Sequence, residues 1–222
     1  MKHKLKQYCL MTTSFSRIKP LIAFTLFTLY TFNGFSQNDT STWKAQFAIG
    51  VNSPEQSAFV SNFEGKSVNF PTFNIGVQRM FSRTFGAKLD YGYNRISDAG
   101  DSPEFKVNYS RINAQAVYDA GSLLNFLPRR FALVAHGGPG FTFVKSLGDY
   151  PDNDTSFLNA MLGIEFHYGL SETLSVFLDT SYIHSFSSGY GDLTSGFGTF
   201  NGSLFTVTLG ISISLSGCYY CE

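Results

Sequence analysis

Apolar and polar residues alternate one by one along most of this chain. From Phe205 to Leu215 every odd position is large and apolar (Phe205, Val207, Leu209, Ile211, Ile213, Leu215), and every even position is small or polar (Thr206, Thr208, Gly210, Ser212, Ser214). Successive strand side chains point to opposite faces, so the stretch reads as a strand with one greasy and one wet side. It exceeds the roughly five or six residues usual in soluble sheets and meets the ~9–11 that a tilted strand needs to cross a bilayer. Seven earlier stretches repeat the pattern: Trp43 to Asn52, Phe73 to about Ser82, Phe85 to Asn94, Phe105 to about Ala120, Phe131 to Lys145, Leu158 to Tyr168 and Leu174 to Tyr182. In the fourth the phase slips between Tyr109 and Ile112, which predicts a bulge. Gly137, Gly138, Pro139 and Gly140 predict a kink in the fifth.

The count is eight, and every link fits an antiparallel hairpin. Connections one, three, five and seven are polar and mostly long, whereas Arg83-Thr84 and Leu170-Ser171-Glu172-Thr173 are tight turns; the fourth connection, with Leu123, Leu124 and Phe126, fits neither kind. Short turns on one rim and long loops on the other predict an all-β fold, an eight-stranded antiparallel up-and-down transmembrane β-barrel with both termini in the periplasm.

Alternation alone does not say which face points outward, because a soluble barrel inverts the same pattern. Aromatic residues decide it. Trp43, Phe81, Phe85, Tyr118, Phe131 and Tyr168 gather towards the short-turn rim, and Phe73, Tyr93, Tyr109, Phe143, Phe157, Tyr182 and Phe205 towards the loop rim, as in the two girdles of a membrane barrel. The other face is chiefly Gly, Ser, Thr and Asn with sparse charge, too bare for a water-washed surface.

Composition agrees, with 17% aromatic and only 14% charged residues in 222. The zero formal charge hides an asymmetry: five of the 16 basic residues and none of the 16 acidic ones lie in the first 36 positions, so the remainder carries 11 against 16, a net −5. A mature chain of that sign argues against nucleic acid as a partner. Residues 1–36 read as a secretory signal peptide: a basic region to Lys19, an apolar run Leu21 to Phe32, then Gly34 and Ser36, with cleavage before Gln37 and Met1 or Met11 as the start. Residues 37–217 form the barrel and 218–222 a short tail. Cys218 and Cys221 in that tail lack the βαβ setting or second ligand pair of a redox or metal site.

The opening Trp43-Lys44-Ala45-Gln46-Phe47-Ala48-Ile49-Gly50-Val51-Asn52, the stretch His136-Gly137-Gly138-Pro139-Gly140-Phe141-Thr142-Phe143, Tyr182-Ile183-His184-Ser185-Phe186 and the signal ending Gly34-Phe35-Ser36-Gln37 resemble the eight-stranded barrel of the outer-membrane protein A type, in its Bacteroidetes version. The resemblance covers about Trp43 to Ser216. Members of that family continue into a periplasmic peptidoglycan-binding domain, and this sequence stops at Glu222, so no cell-wall tethering is implied.

An eight-stranded barrel is just wide enough for side chains to fill it. Lys88, Asp90, His136, Glu165 and Asp179 fall at similar mid-depth on the inner face, where desolvated charges must pair. They read as a structural plug of salt bridges or, alternatively, as the gate of a low-conductance, porin-like channel. The segment His184-Ser185-Phe186-Ser187 resembles the His and Ser of a barrel lipid A deacylase, but there the two stand two residues apart, matching His184 and Phe186, so the spacing fails. A lipid-modifying enzyme therefore ranks third. Asp149, Asp152 and Asp154 offer a carboxylate cluster for Ca²⁺ and equally a solvated loop. The sequence thus predicts a monomeric, non-enzymatic outer-membrane barrel without cofactor or metal. It would contact outer-membrane lipid and serve envelope integrity or surface interaction through its extracellular loops.

Overall fold

The computed structural model describes residues 43–59, 63–100, 102–121, 128, 130–147, 154–187, 200 and 202–215. The predicted signal peptide, the Leu123/Leu124 connection, Asp149, Asp152, Cys218 and Cys221 lie outside them. Eight strands follow in order: β1 (Trp43–Pro54), β2 (Asn69–Met80), β3 (Phe85–Ser97), β4 (Lys106–Asp119), β5 (Phe131–Leu147), β6 (Thr155–Gly169), β7 (Leu174–Ser185) and β8 (Leu204–Ser214). Each pairs antiparallel with its neighbours, and β1 with β8 closes the barrel. Closure satisfies the backbone groups that an open sheet edge would present to lipid.

The faces divide as alternation requires. Leu209, Leu162, Ile164, Leu89 and Phe85 are exposed on the outside. Their partners in phase, including Thr208, Ser212, Gln115 and Asn94, are buried within. Apolar outside and polar inside is the inverse of a soluble barrel and defines a membrane-spanning one.

Two tight turns share one sequence pattern, Phe81-Ser82-Arg83-Thr84-Phe85 and Leu170-Ser171-Glu172-Thr173-Leu174. Ser82 Oγ accepts the Phe85 N–H at 2.9 Å and Ser171 Oγ accepts the Leu174 N–H at 3.1 Å, so each serine caps the start of the returning strand. The β1–β8 seam ends on this rim, where the Leu215 N–H donates to the Trp43 carbonyl at 2.7 Å. The Arg79 guanidinium lies 5.3 Å from the Trp43 ring there.

The predicted bulge in β4 is absent. Its register with β3 runs unbroken from Phe85↔Tyr118 to Ser97↔Lys106, and Val107, Tyr109, Arg111 and Asn113 all point inward. The phase is constant and the chemistry of the inner face changes, from polar at mid-depth to apolar near the long loops. Tyr109 and Phe157 accordingly leave the outer girdle to which alternation assigned them. Both are buried, packed edge to face with ring centroids 6.2 Å apart. They belong to an internal cluster with Ile96, Val107, Val144, Ile183 and Leu204, onto which the long connections fold Phe59, Phe105 and Phe200. Phe59 touches both Phe105 and Phe200, at 5.4 and 4.8 Å between ring centroids. This apolar cap closes the loop end of the barrel. In β5 the Gly-Pro-Gly stretch stays within one 17-residue strand, in continuous register with β6. Its ladder to β4 is interrupted opposite Gly138 and Pro139, where proline has no N–H to give.

Candidate functional site in the barrel lumen

A barrel this narrow seats a large inward side chain only where its neighbour is small. The pairing shows the device: Arg111 lies directly opposite Gly92 and His136 opposite Gly163. A Cβ on Gly92 would stand 2.7 Å from Arg111 Nε, and one on Gly163 would stand 2.5 Å from His136 Nε2. Glycine at these two positions is thus a matter of space, letting each side chain cross the neighbouring strand.

All five predicted lumen residues, Lys88, Asp90, His136, Glu165 and Asp179, are buried on the inner face. They divide into two linked groups. In the first, Glu165 from β6 takes Lys88 Nζ at 2.5 Å on one oxygen. Its other oxygen takes Gln46 Nε2 at 3.0 Å and His167 Nε2 at 2.7 Å. An ionised carboxylate only accepts, so His167 carries its proton on Nε2, and its Nδ1 faces Ser175 Oγ at 3.3 Å. In the second group Arg111 Nη1 donates to Asp90 Oδ2 at 2.6 Å. The other Asp90 oxygen accepts from Gln115 Nε2, and Gln115 Oε1 lies 2.5 Å from His136 Nδ1. With its amide nitrogen committed to Asp90, Gln115 turns an acceptor to His136, which places that imidazole's proton on Nδ1. Asp179, paired across β6–β7 with Glu165, accepts from Ser181 Oγ and stands 3.5 Å from His136 Nε2.

Sequence reasoning missed Arg111, which is fully buried and is the cation that pairs with Asp90. The supposed phase slip hid it. Counting back by twos from Val117 and Gln115 places Arg111 on the inner face opposite Gly92, and that glycine was the available signal. Alternation places Gln46 and His167 on the inner face, but they were not counted with the charge cluster, and Gln115 was not singled out.

From the charged layer a hydrogen-bonded path runs towards the loops: Asn113 Nδ2 donates to Asn159 at 2.6 Å, Asn159 Nδ2 to Thr142 Oγ1 at 2.8 Å, and Thr142 Oγ1 to Tyr109 OH at 3.2 Å. The apolar cap lies beyond it. At the opposite rim a cleft bordered by Lys44, Asp119, Ser175 and Ser212 reaches His167. A second, smaller cavity lies around Lys88, Asp90, Glu165 and Asp179. The contact between His167 and Glu165 stands between the two.

At the loop rim His184 meets neither Ser185 nor Ser187 but Ser203, whose Oγ is 3.4 Å from His184 Nδ1. The Ser203 N–H donates to Glu55 at 3.2 Å. The Glu55 carboxylate thus sits on the serine rather than behind the imidazole, so among the described residues these three do not form the acid–base–nucleophile order of a hydrolase. Ser57 Oγ and the Ser203 N–H together hold the Glu55 carboxyl below its usual range, with nearby His184 adding to the effect. Asp154, the described member of the suggested Ca²⁺ cluster, accepts the Ser146 N–H at 2.7 Å.

No family model matches this sequence, and no curated protein matches it. Solved structures do share its fold. A major outer membrane protein from Thermus thermophilus superposes with a TM-score of 0.55 at 12% identity, over 79% of this chain and 99% of that one. Neisserial surface protein A aligns with a TM-score of 0.49 at 13% identity, over 78% and 95%. The outer membrane protein OprG from Pseudomonas aeruginosa aligns with 0.48 at 10%, over 78% and 96%. At 12% identity the likeness to the Thermus protein is one of fold.

Proposed function

We propose that this chain is a monomeric, non-enzymatic barrel of a bacterial outer membrane, similar to the outer-membrane protein A type. The short-turn rim and both chain termini face the periplasm, and the long loops act outside, in envelope integrity or surface interaction. The filling of the lumen carries this reading. Lys88–Glu165 ties β3 to β6 across the lumen and Arg111–Asp90 joins neighbouring β4 and β3 at mid-depth, and Phe59, Phe105 and Phe200 seal the loop end. A path for ions would have to displace both layers. With the interior given to holding the barrel shut, the loops are the surface left for recognition. The deacylase reading loses support from the misplaced Glu55 carboxylate.

A low-conductance channel gated at Glu165 is the second reading, favoured by the cleft that runs from the short-turn rim to His167. Planar-bilayer recordings separate the two. The closed-barrel reading expects silence from wild type and from Lys88→Met alike. Steady wild-type current that Lys88→Met alters would replace the plug with a gate.

A further inference from the structure

His136 Nε2 is the informative atom of the lumen. Its residue is 2% exposed, and Nε2 has no hydrogen-bond partner. The proton of the neutral ring is fixed on Nδ1 by Gln115, which Asp90 orients in turn. Nε2 therefore presents a bare lone pair, and what it faces is carboxylate: Asp179 Oδ2 at 3.5 Å, with Glu165 alongside. A lone pair set against two carboxylates is repulsive unless a cation stands between them. We propose that His136, Glu165 and Asp179 form a binding site for a divalent first-row transition ion of the Zn²⁺ type inside the barrel.

Five observations support it. One ligand atom from each residue lies within 4.8 Å of the other two. Donors around a tetrahedral ion at ~2.0–2.1 Å stand about 3.4 Å apart, so the His136–Asp179 separation already matches, and Glu165 need only close in. The position is built rather than incidental, since Gly163 alone makes room for the imidazole to reach across β6. The Gln115 and Asp90 contacts behind Nδ1 are the outer support that fixes the tautomer of a metal-ligating histidine. The donor set also selects: one imidazole with two carboxylates suits Zn²⁺ or Co²⁺, whereas Ca²⁺ wants six to eight oxygens. The cleft at the short-turn rim offers access as far as His167, next to Glu165. A bound ion would tie β5, β6 and β7 together from within.

Lys88 makes the proposal distinctive. Its ammonium already holds one oxygen of the Glu165 carboxylate, so lysine and metal compete for that group. Removing the lysine should tighten metal binding even as it weakens the metal-free barrel. The test is titration of the untagged chain, folded in detergent, with Co²⁺ followed by its visible absorption and with Zn²⁺ followed by calorimetry. Folding of each variant is checked by heat-modified gel mobility. The expected result is one ion per wild-type chain, at least tenfold weaker binding in His136→Gln and at least tenfold tighter binding in Lys88→Met. Should His136→Gln fail to fold, Asp179→Asn takes its place with the same expectation. Wild type that binds neither ion at millimolar concentration overturns the proposal, leaving a proton as the cation on Nε2. Binding that survives in His136→Gln or Asp179→Asn likewise overturns it, as adventitious surface capture.

Discussion

Lys88 holds Glu165 and Arg111 holds Asp90 in the lumen, and that division decides which repairs work. Removing one partner of a buried ion pair strands the other, at a cost of ~3–5 kcal/mol. Lys88→Met should lower the urea midpoint in detergent, and Glu165→Gln added to it should recover part of the loss. Asp90→Asn should recover none, because Asp90 belongs to Arg111. Rescue by Asp90→Asn would refute the assignment of pairs. Alternation and depth made the positions of Lys88, Asp90, His136, Glu165 and Asp179 legible in the sequence. Their partners were not legible, because partnership depends on register between strands distant in the chain: Lys88 and Glu165 meet across the lumen although they stand 77 positions apart in sequence. Arg111 went unseen for a different reason. Tyr109 and Val107 made the inner face of β4 look like its outer face, and no rule of alternation distinguishes a greasy lumen from a greasy exterior.

At the scale of the strand, side-chain direction sets what a charge costs. On β8 Leu209 is 61% exposed to the lipid side, whereas Ser212 is 3% exposed beside the cleft at the short-turn rim. An arginine on the lipid face near the bilayer midplane costs ~2–4 kcal/mol, while one facing the cleft reaches water. Leu209→Arg should therefore block assembly into membranes and Ser212→Arg should do so far less, as read by the yield of heat-modifiable barrel. Equal yields would reverse the faces. Strand existence and order were legible because each strand is long and bound to one side of a bilayer-matched wall. The two tight turns were legible as short polar links, whereas the serine caps they share at Ser82 and Ser171 emerged only with the hydrogen bonds. The cap was not visible, since Phe59, Phe105 and Phe200 come from irregular segments whose return into the barrel mouth leaves no periodic trace.

The barrel is a tube whose wall is specified by a two-residue rhythm and whose contents are layered, with paired charge at mid-depth and aromatic packing towards the loops. The seam that closes the tube has a practical consequence. Trp43, the chain's one tryptophan, begins β1 at the point where β8 ends, its carbonyl bonded to Leu215 and its ring exposed on the rim beside Arg79. The only indole fluorophore therefore sits on the ladder that joins the first strand to the last. As the barrel refolds into lipid vesicles, a blue shift of tryptophan emission should keep pace with the appearance of the compact gel species, both reporting closure in a single optical trace. Emission that settles well before that species appears would mean that the first strand inserts and waits for the eighth.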